Sequence, residues 1–384
     1  MKKKNQLKVS RRTVMKGAIA AGAMMSAASI PSKLFAGQYE IPDPLKPLPT
    51  TGGTMRLIDS GDMKGVFWKK IFPEYAESRG ITIEYDGLPW KEINKIVPIA
   101  IRNGTVHDIF QLPLGMDPGV AVAEGWVQPW DDYMPNIQEW LAGFPAGVYL
   151  PGVNMFDGKV YGICLTANKR TGTCLLYSKK YMTEAGYDPE AGRMTYSEIR
   201  DAAKKITKNG NGQYYGWIIG GNQVNRWEEV VHTFGQVAGA HSGRGGFTNR
   251  HINFQNGKFQ IASDQYMEAV ELLLQLKSDG SAFPGVMSMN APQARALMPQ
   301  GAAGMIFQGP WCIGVWAKDA PNWEYGIASE PVPDGKKAQP LYIAEGGSNT
   351  FWLSKDSKMG PFAGDLMRFM GTEQGQIYLS LIHI

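Results

Sequence analysis

Apolar and polar positions alternate between strand-like and helix-like segments along the first third of the chain. Short runs rich in β-branched and large apolar residues predict strands, and apolar residues at intervals of three and four predict amphipathic helices. Strands that alternate with helices in this way predict a parallel sheet in an α/β domain. The predicted strands are residues 54–59, 81–85 and 108–112, and the predicted helices are residues 64–78 and 91–103.

The middle of the chain predicts a second α/β region. Residues 195–198 have the spacing of a capping box, in which a threonine hydroxyl and a glutamate side chain satisfy each other's backbone N–H groups at the start of a helix. Residues 264–278 predict another helix, with Met267, Val270 and Leu274 on its inward face. Further predicted elements are strands at residues 172–177 and 301–307 and a helix at residues 361–378.

Residues 1–36 have the composition of an export signal. They carry eight basic and no acidic side chains, and the uncharged run at residues 17–30 is too short to span a bilayer comfortably. Arg11 and Arg12 belong to a segment that resembles the twin-arginine export motif, with Val14 where that motif usually has Phe; a chance pair in an ordinary secretory signal is the alternative. We expect cleavage near residue 36, a periplasmic location and, since no cysteine follows the apolar run, no lipid anchor.

The charge of the chain changes once this leader is removed. The whole sequence has a net charge of +4, but eight of its 39 basic residues lie in the leader. The remainder holds 31 basic and 35 acidic residues, a net charge of −4. A mildly acidic body gives no electrostatic basis for binding nucleic acid or an anionic membrane, so neither is expected as a partner.

Cysteine and histidine usage predicts neither a metal site nor a cofactor. The three cysteines are Cys164, Cys174 and Cys312, and the five histidines never occur at ligand spacing. A disulfide between Cys164 and Cys174 and a set of buried free thiols both stay open at this point. The sequence also lacks a dinucleotide-binding glycine pattern and a serine-hydrolase elbow.

Two acidic pairs could supply the opposed carboxylates of a glycosidase. They are Asp131 with Asp132 and Glu228 with Glu229. Adjacent residues project in different directions, however, so the pairing alone carries little weight. We therefore predict a protein that is not an enzyme.

Seven local patterns in the same order are similar to those of the bacterial extracellular solute-binding proteins (family 1) of ABC importers, which include the maltose-type sugar receptors. The patterns are residues 104–110, 125–132, 157–162, 176–179, 185–189, 301–311 and 345–348. Ser178 stands where that family usually has Asn, and Tyr196 where it usually has Trp. The family's last helices have no counterpart here, so we expect that the natural protein continues beyond residue 384.

The resemblance implies an α/β fold of two lobes joined by a hinge, the periplasmic-binding-protein fold, with the ligand in the cleft between them. After a Pro-rich lead-in at residues 37–52, the first lobe would comprise residues 53–166 and 341–384, and the second residues 167–340. In open α/β sheets, ligands bind at the loops that follow the carboxyl ends of the strands. The resemblance also implies a monomer that docks on the transmembrane subunits of an ABC permease.

Ligand contacts are expected from aromatic and polar residues on these loops. By resemblance, Trp311 occupies a position that stacks on sugar in the maltose-type receptors. Trp90 and Trp227 are the other aromatic candidates, because a pyranose presents an apolar face to such rings. Further candidates are Asp62, Gln111, Asn168, Asn222, Gln308, Gly347 and Ser348. The alternative for each polar candidate is a local structural role such as turn capping.

The resemblance therefore implies a periplasmic receptor that captures a small solute, a carbohydrate by preference, and delivers it to the permease. Lys169 and Arg170 complicate this interpretation, because an arginine in the cleft could bind a carboxylate or phosphate through two hydrogen bonds. A receptor for an anionic solute, such as a sugar acid or a glycerol phosphate, is thus one alternative. An exported carbohydrate-active enzyme is the other.

Overall fold

The computed structural model describes residues 41–50, 52–61, 63–144, 148–165, 173–241, 252–253, 256–341 and 350–376. The described residues from Asp43 to Gln376 belong to one compact unit. The helices are α1 (Met63–Arg79), α2 (Trp90–Arg102), α3 (Pro118–Ala123), α4 (Ile137–Ala142), α5 (Lys179–Glu184), α6 (Tyr196–Gly210), α7 (Val224–Val237), α8 (Asp264–Ser278), α9 (Ala291–Leu297), α10 (Trp311–Asp319) and α11 (Gly360–Met370). The strands are β1 (Thr54–Asp59), β2 (Thr82–Gly87), β3 (Ile109–Gln111), β4 (Val127–Gln128), β5 (Met155–Phe156), β6 (Lys159–Val160), β7 (Gly162–Cys164), β8 (Cys174–Ser178), β9 (Tyr215–Ile218), β10 (Ala303–Gln308), β11 (Tyr325–Ala328) and β12 (Thr350–Ser354).

A six-stranded sheet forms the centre of what we call lobe 1. Its strand order is β2-β1-β3-β12-β4, and β7 also pairs with β12. The predicted parallel arrangement is confirmed for β1, β2 and β3. The late strand β12, by contrast, runs antiparallel to β3, β4 and β7. Because β1, β2 and β3 are parallel, their carboxyl ends lie at one edge of the sheet, and Gln111 lies there.

A four-stranded sheet in the order β11-β8-β10-β9 forms the centre of lobe 2. Strands β9 and β10 are parallel, and β8 is antiparallel to both β10 and β11. The register pairs Cys174 at the start of β8 with Gln308 at the end of β10. The loop after β9, the start of β8 and the residues after β10 therefore share one edge of this sheet.

Several predictions about the helices are confirmed. The capping box of α6 is present, with the Thr195 hydroxyl accepting from the backbone N–H of Glu198 and the Glu198 carboxylate accepting from the backbone N–H of Thr195. The bounds of α8 are as predicted. The helix predicted at residues 361–378 is interrupted: α11 ends at Met370, residues 371–372 form a turn, and residues 373–376 are helical again.

The predicted inward face of α8 is wrong. Met267 is 51% exposed and Leu274 60% exposed. The helix has apolar residues on two sides, and the side that packs inward carries the larger set of apolar groups, which excludes more apolar surface from water. Its buried residues are Tyr266, Ala269, Leu272, Leu273 and Leu276.

The Pro-rich segment at residues 44–49 lies against α11 and borders a cavity of about 370 Å³ there. Arg368 of α11 donates to the carbonyl of Asp43 at 2.9 Å and to the carboxylate of Asp365 at 2.9 Å. Arg79 of α1 donates to the same carboxylate at 2.8 Å. A buried aspartate held by two arginines thus joins the first helix, the last described helix and the lead-in segment.

Candidate functional site

At the carboxyl edge of the lobe 1 sheet, Gln111 is wholly buried, and one of the two polar atoms of its side-chain amide is hydrogen-bonded. Its Oε1 accepts a hydrogen bond from the backbone N–H of Ser60 at 2.9 Å. Its Nε2 is buried and has no hydrogen-bond partner among the described residues. A buried amide donor that lacks a partner is unfavourable by about 1–3 kcal/mol.

Neighbouring Asp59 is already fully engaged by protein groups. Its Oδ1 accepts from the backbone N–H of Gly61 at 2.8 Å and from the Tyr85 hydroxyl at 2.6 Å. Its Oδ2 accepts from the indole N–H of Trp68 at 2.8 Å. This carboxylate therefore fixes the loop after β1, which Gly61 turns with a φ of +61°.

Trp90 is the first residue of α2 and follows the carboxyl end of β2. Its ring is half-buried and packs against the apolar core of lobe 1. It shares the edge of the sheet with Gln111. The sequence predicts Trp90 on the loop after this strand, whereas the residue begins a helix; its contact with a ligand stays a prediction.

At the lobe 2 edge, Trp311 is half-buried at the start of α10, directly after the carboxyl end of β10. A β-carbon added to Gly309 would overlap Cζ3, Cη2 and Cε3 of the indole, so the ring lies directly against the backbone at that glycine. The guanidinium carbon of Arg226 lies 5.3 Å from the centre of the same ring. Only a residue without a side chain at position 309 permits this ring position.

The sequence predicts Trp227 on a loop, but the residue lies in the first turns of α7. Its indole N–H donates to the carbonyl of Gly221 at 2.9 Å, and its ring meets Trp217 edge to face with 6.0 Å between centroids. The side chain thus packs against the core of lobe 2. The expected loop ends at Gln223, because the helix begins at Val224.

Two of the four polar candidates of lobe 2 lie among the described residues, and they differ in exposure. Asn222 is exposed, and its Nδ2 donates to the carbonyl of Ser288 at 3.1 Å. Gln308 is wholly buried, where its Nε2 donates to the carbonyl of Ala291 at 3.2 Å. Asn222 therefore lies on the surface of the edge, and Gln308 lies behind it.

Gln308 is also held by two cysteines, and the structure contains free thiols at all three cysteine positions. Cys174 donates through Sγ to the Gln308 carbonyl at 3.1 Å, and Cys312 donates to its Oε1 at 3.0 Å. Burial raises the pKa of Cys312 to about 11 and that of Cys174 further still. Both groups are thus protonated thiols at neutral pH and act as hydrogen-bond donors here.

Five predicted site residues lie outside the residues that the structure describes. They are Asp62, Asn168, Arg170, Gly347 and Ser348. Their roles stay predictions, as does the leader at residues 1–36.

A buried ion pair at the lobe 2 edge was missed by the sequence analysis. Arg226 and Glu229 are 5% and 4% exposed, and the guanidinium donates to the carboxylate. The available signal was an arginine three residues before a glutamate on one helical face. The ion pair is relevant to the site because Arg226 also contacts Trp311, which lies on a different helix.

The acidic pairs do not present two free carboxylates. Asp131 accepts from the backbone N–H of Val160 at 2.7 Å, and Glu229 is paired with Arg226. Within the described parts of the chain, no three His, Cys, Asp or Glu side chains are grouped so that they could hold a metal ion. In those same parts, no helix combines the length and apolar character needed to cross a membrane.

Two relatives align with much of this chain. A protein of Brucella abortus (strain 2308), described only as a binding protein, is 27% identical over 273 residues, which cover 70% of this chain and 60% of that protein. The sn-glycerol-3-phosphate-binding periplasmic protein of Rhizobium meliloti (strain 1021) is 26% identical over 266 residues, which cover 68% of this chain and 57% of that protein. This chain therefore spans less than two thirds of the length of either relative.

Among solved structures, an ABC transporter solute-binding protein of Thermotoga lettingae bound with α-D-tagatose has the same fold. It is 20% identical, with a TM-score of 0.67, and the match covers 86% of this chain and 80% of that chain. The two-lobed α/β fold implied by the sequence resemblance is thus confirmed. Residues 60–377 also match the family described as bacterial extracellular solute-binding protein. Because that match covers most of the sequence, this chain belongs to the bacterial extracellular solute-binding protein family.

Proposed function

We propose that this protein is the periplasmic receptor of an ABC importer, which captures a neutral carbohydrate or polyol and delivers it to the membrane permease. The observation that carries the proposal is the half-buried indole of Trp311, held at the carboxyl edge of the lobe 2 sheet. An aromatic face at such an edge is what an apolar sugar face requires. The tagatose bound to the Thermotoga lettingae protein supports the same ligand class.

In this proposal the two lobes contribute different chemistry. Trp311 stacks on the C–H face of the ligand, while the amide donor of Gln111, which has no partner among the described residues, and the exposed amide of Asn222 bind its hydroxyl groups. No bond is made or broken. A ligand that contacts both lobes stabilises the closed state over the open state by the free energy of those added contacts.

The proposal includes export and a hinge. Residues 1–36 serve as the signal peptide, and the mature chain acts as a monomer in the periplasm. Residues 53–166 with 341–384 form one lobe and residues 167–340 the other. The permease binds the closed form, so delivery depends on ligand-driven closure.

A receptor for a phosphorylated solute is the second candidate, because the Rhizobium meliloti relative is a sn-glycerol-3-phosphate-binding protein. The described residues favour the neutral ligand. The buried cation beside Trp311 is Arg226, and its charge is balanced by Glu229. Arg170 is the residue on which anion binding would depend, and Arg170→Ala is therefore the variant that separates the two candidates.

The test is the melting temperature of the purified protein against neutral oligosaccharides, polyols, sugar acids and glycerol phosphates. A ligand at a hundred times its dissociation constant adds about 2.7 kcal/mol to the free energy of unfolding. We expect a rise with a neutral sugar or polyol, retained in Arg170→Ala and reduced by about half in Trp311→Ala. A rise confined to glycerol phosphates or sugar acids, abolished by Arg170→Ala, would establish the anionic receptor. Recovery of a cleaved ligand by mass spectrometry would instead establish an enzyme.

A further inference from the structure

The ion pair of α7, formed by Arg226 and Glu229, is unfavourable for local helix stability in several ways. Arg226 is the third residue of the helix, where a positive charge is opposed by the helix dipole. The order Arg before Glu is the less favourable one for a pair on a helix. Both side chains are also buried, and removing two charges from water is costly even when they pair. Such departures from local stability are typical of functional positions.

The contact that this pair makes is with the proposed ligand-stacking ring. Strands β9 and β10 are parallel neighbours, so the helices that follow them, α7 and α10, begin side by side at the same edge. The Arg226 guanidinium carbon lies 5.3 Å from the centre of the Trp311 ring, within the range of a cation–π contact. The backbone at Gly309 contacts the six-membered part of the ring. The indole is thus supported by two separate elements.

We propose that Arg226 is a positioning residue for ligand binding, which acts through Trp311, and that Glu229 fixes the guanidinium in place. This inference rests on the proposed carbohydrate receptor. The planar guanidinium supports the indole in a way that a lysine ammonium does not. A ring that is already held loses less side-chain freedom when the ligand stacks on it, and this increases affinity.

The charge balance of the pair indicates the ligand class that this arrangement suits. Arg226 holds the ring and Glu229 neutralises the guanidinium. The pair itself adds no net charge beside the ring. This arrangement suits a neutral pyranose or polyol, because such a ligand has no negative charge for a net cation to bind.

The experiment is a double-mutant cycle on the dissociation constant of the neutral ligand found in the melting screen. The variants are Arg226→Met/Glu229→Met, which removes both charges without leaving one buried alone, Trp311→Ala, and the combination of all three substitutions. Isothermal titration calorimetry measures binding, and the melting temperature reports folding. We expect the pair variant to bind about tenfold more weakly, and to have less than about a twofold effect once Trp311 is absent.

Two further variants separate positioning from a general structural effect. Arg226→Lys keeps the charge and the partner but lacks the planar group, and we expect it to lose most of the same affinity. Arg200→Met/Asp279→Met removes another ion pair of lobe 2, formed at 2.8 Å between α6 and the end of α8. We expect this control to lower the melting temperature and to leave the dissociation constant unchanged.

The outcomes distinguish this inference from the proposed function. If the wild-type protein binds neutral ligand and the pair variant binds equally well, or loses affinity equally with and without Trp311, the role of Arg226 is overturned and the receptor stands. If the pair variant does not melt cooperatively, the cycle is run with Arg226→Lys, and full affinity there overturns the role. If the wild-type protein binds no neutral carbohydrate or polyol, the proposed function is overturned and this inference with it.

Discussion

The position of the Trp311 indole depends on the absence of a side chain at Gly309. A β-carbon at that position would overlap three atoms of the ring, so Gly309→Ala forces the indole to another orientation. We expect the dissociation constant for the neutral ligand to rise about tenfold, equivalent to ~1.4 kcal/mol. The ring is only half-buried, so the melting temperature should change by less than about 3 °C.

Gly192→Ala is the matched control for this substitution. A β-carbon at Gly192 would have no atom within 4 Å, so the variant should bind and melt as the wild-type protein does. Calorimetric titration of both variants with the same ligand makes the comparison. An unchanged dissociation constant in Gly309→Ala would mean that the observed ring position is not the one used for binding.

Single residues also mark how far the sequence could predict the site. Gln111 ends one strand and Trp311 closely follows another, and both strands have a clear apolar pattern, so their place at a sheet edge could be predicted. The sequence predicts a loop at Trp227 because α7 begins without a recognisable cap: Gln223 precedes the helix, and its side chain makes no capping hydrogen bond. The contact of Arg226 with Trp311 could not be predicted, since it depends on the register of two strands far apart in the chain.

At the scale of elements, the packing of α8 has a direct consequence for acid stability. Asp279 follows this helix, and α6 presents Arg200 Nη2 at 2.8 Å and Lys204 Nζ at 3.3 Å from its carboxylate. The hydrogen bond from Arg200 holds the pKa of this carboxyl below its ordinary value of 3.8. The folded state therefore binds the proton less readily than the unfolded state, so the pair stabilises the protein above about pH 4 and progressively less below it.

We expect Asp279→Asn to lower the urea midpoint at pH 6, and the difference from the wild-type protein to shrink as the pH falls below 4. Arg200→Gln removes the hydrogen bond that is the main cause of the lowered pKa of Asp279. It should therefore flatten the dependence of the urea midpoint on pH over the same range. Urea titrations at pH 6, 4 and 3 measure both effects. A constant difference at all three values would show that the pair does not alter the titration of Asp279.

The buried face of α8 illustrates a limit of periodicity. The helix carries apolar side chains at Met267 and Leu274 as well as at Tyr266 and Leu273, so two stripes fit a period of 3.6 residues. Which stripe packs inward is decided by the neighbouring helices. The capping box of α6, in contrast, involves residues close in sequence and was predictable for that reason.

At the scale of the whole molecule, each sheet has its own apolar core. Ile58, Phe110 and Trp352 belong to the core of lobe 1, and Leu176, Ile218 and Phe307 to that of lobe 2. The parallel part of lobe 1 was predictable because its strands and helices alternate along the chain. The antiparallel strand β12 was not, since its partner β3 lies far earlier in the sequence.

Separate cores allow the lobes to move as units, and the proposed site has contacts on both. Gln111 offers a donor from lobe 1 and Trp311 an aromatic face from lobe 2. A ligand that contacts both lobes favours the closed state. A ligand that contacts one lobe equally well in the open and closed states does not change the equilibrium between them. We therefore expect saturating neutral ligand to reduce the radius of gyration from small-angle X-ray scattering, starting from a value near or above the ~20 Å of a compact chain of this size.

The two lobes can be separated in this measurement by one variant in each. Gln111→Met and Trp311→Ala should each require about tenfold more ligand to reach the compact state, because each removes one side of the bridge. Gly192→Ala should close at the wild-type concentration. Binding in the calorimeter without any change in scattering would mean that the ligand contacts one lobe only, and the proposed hinge closure would be overturned.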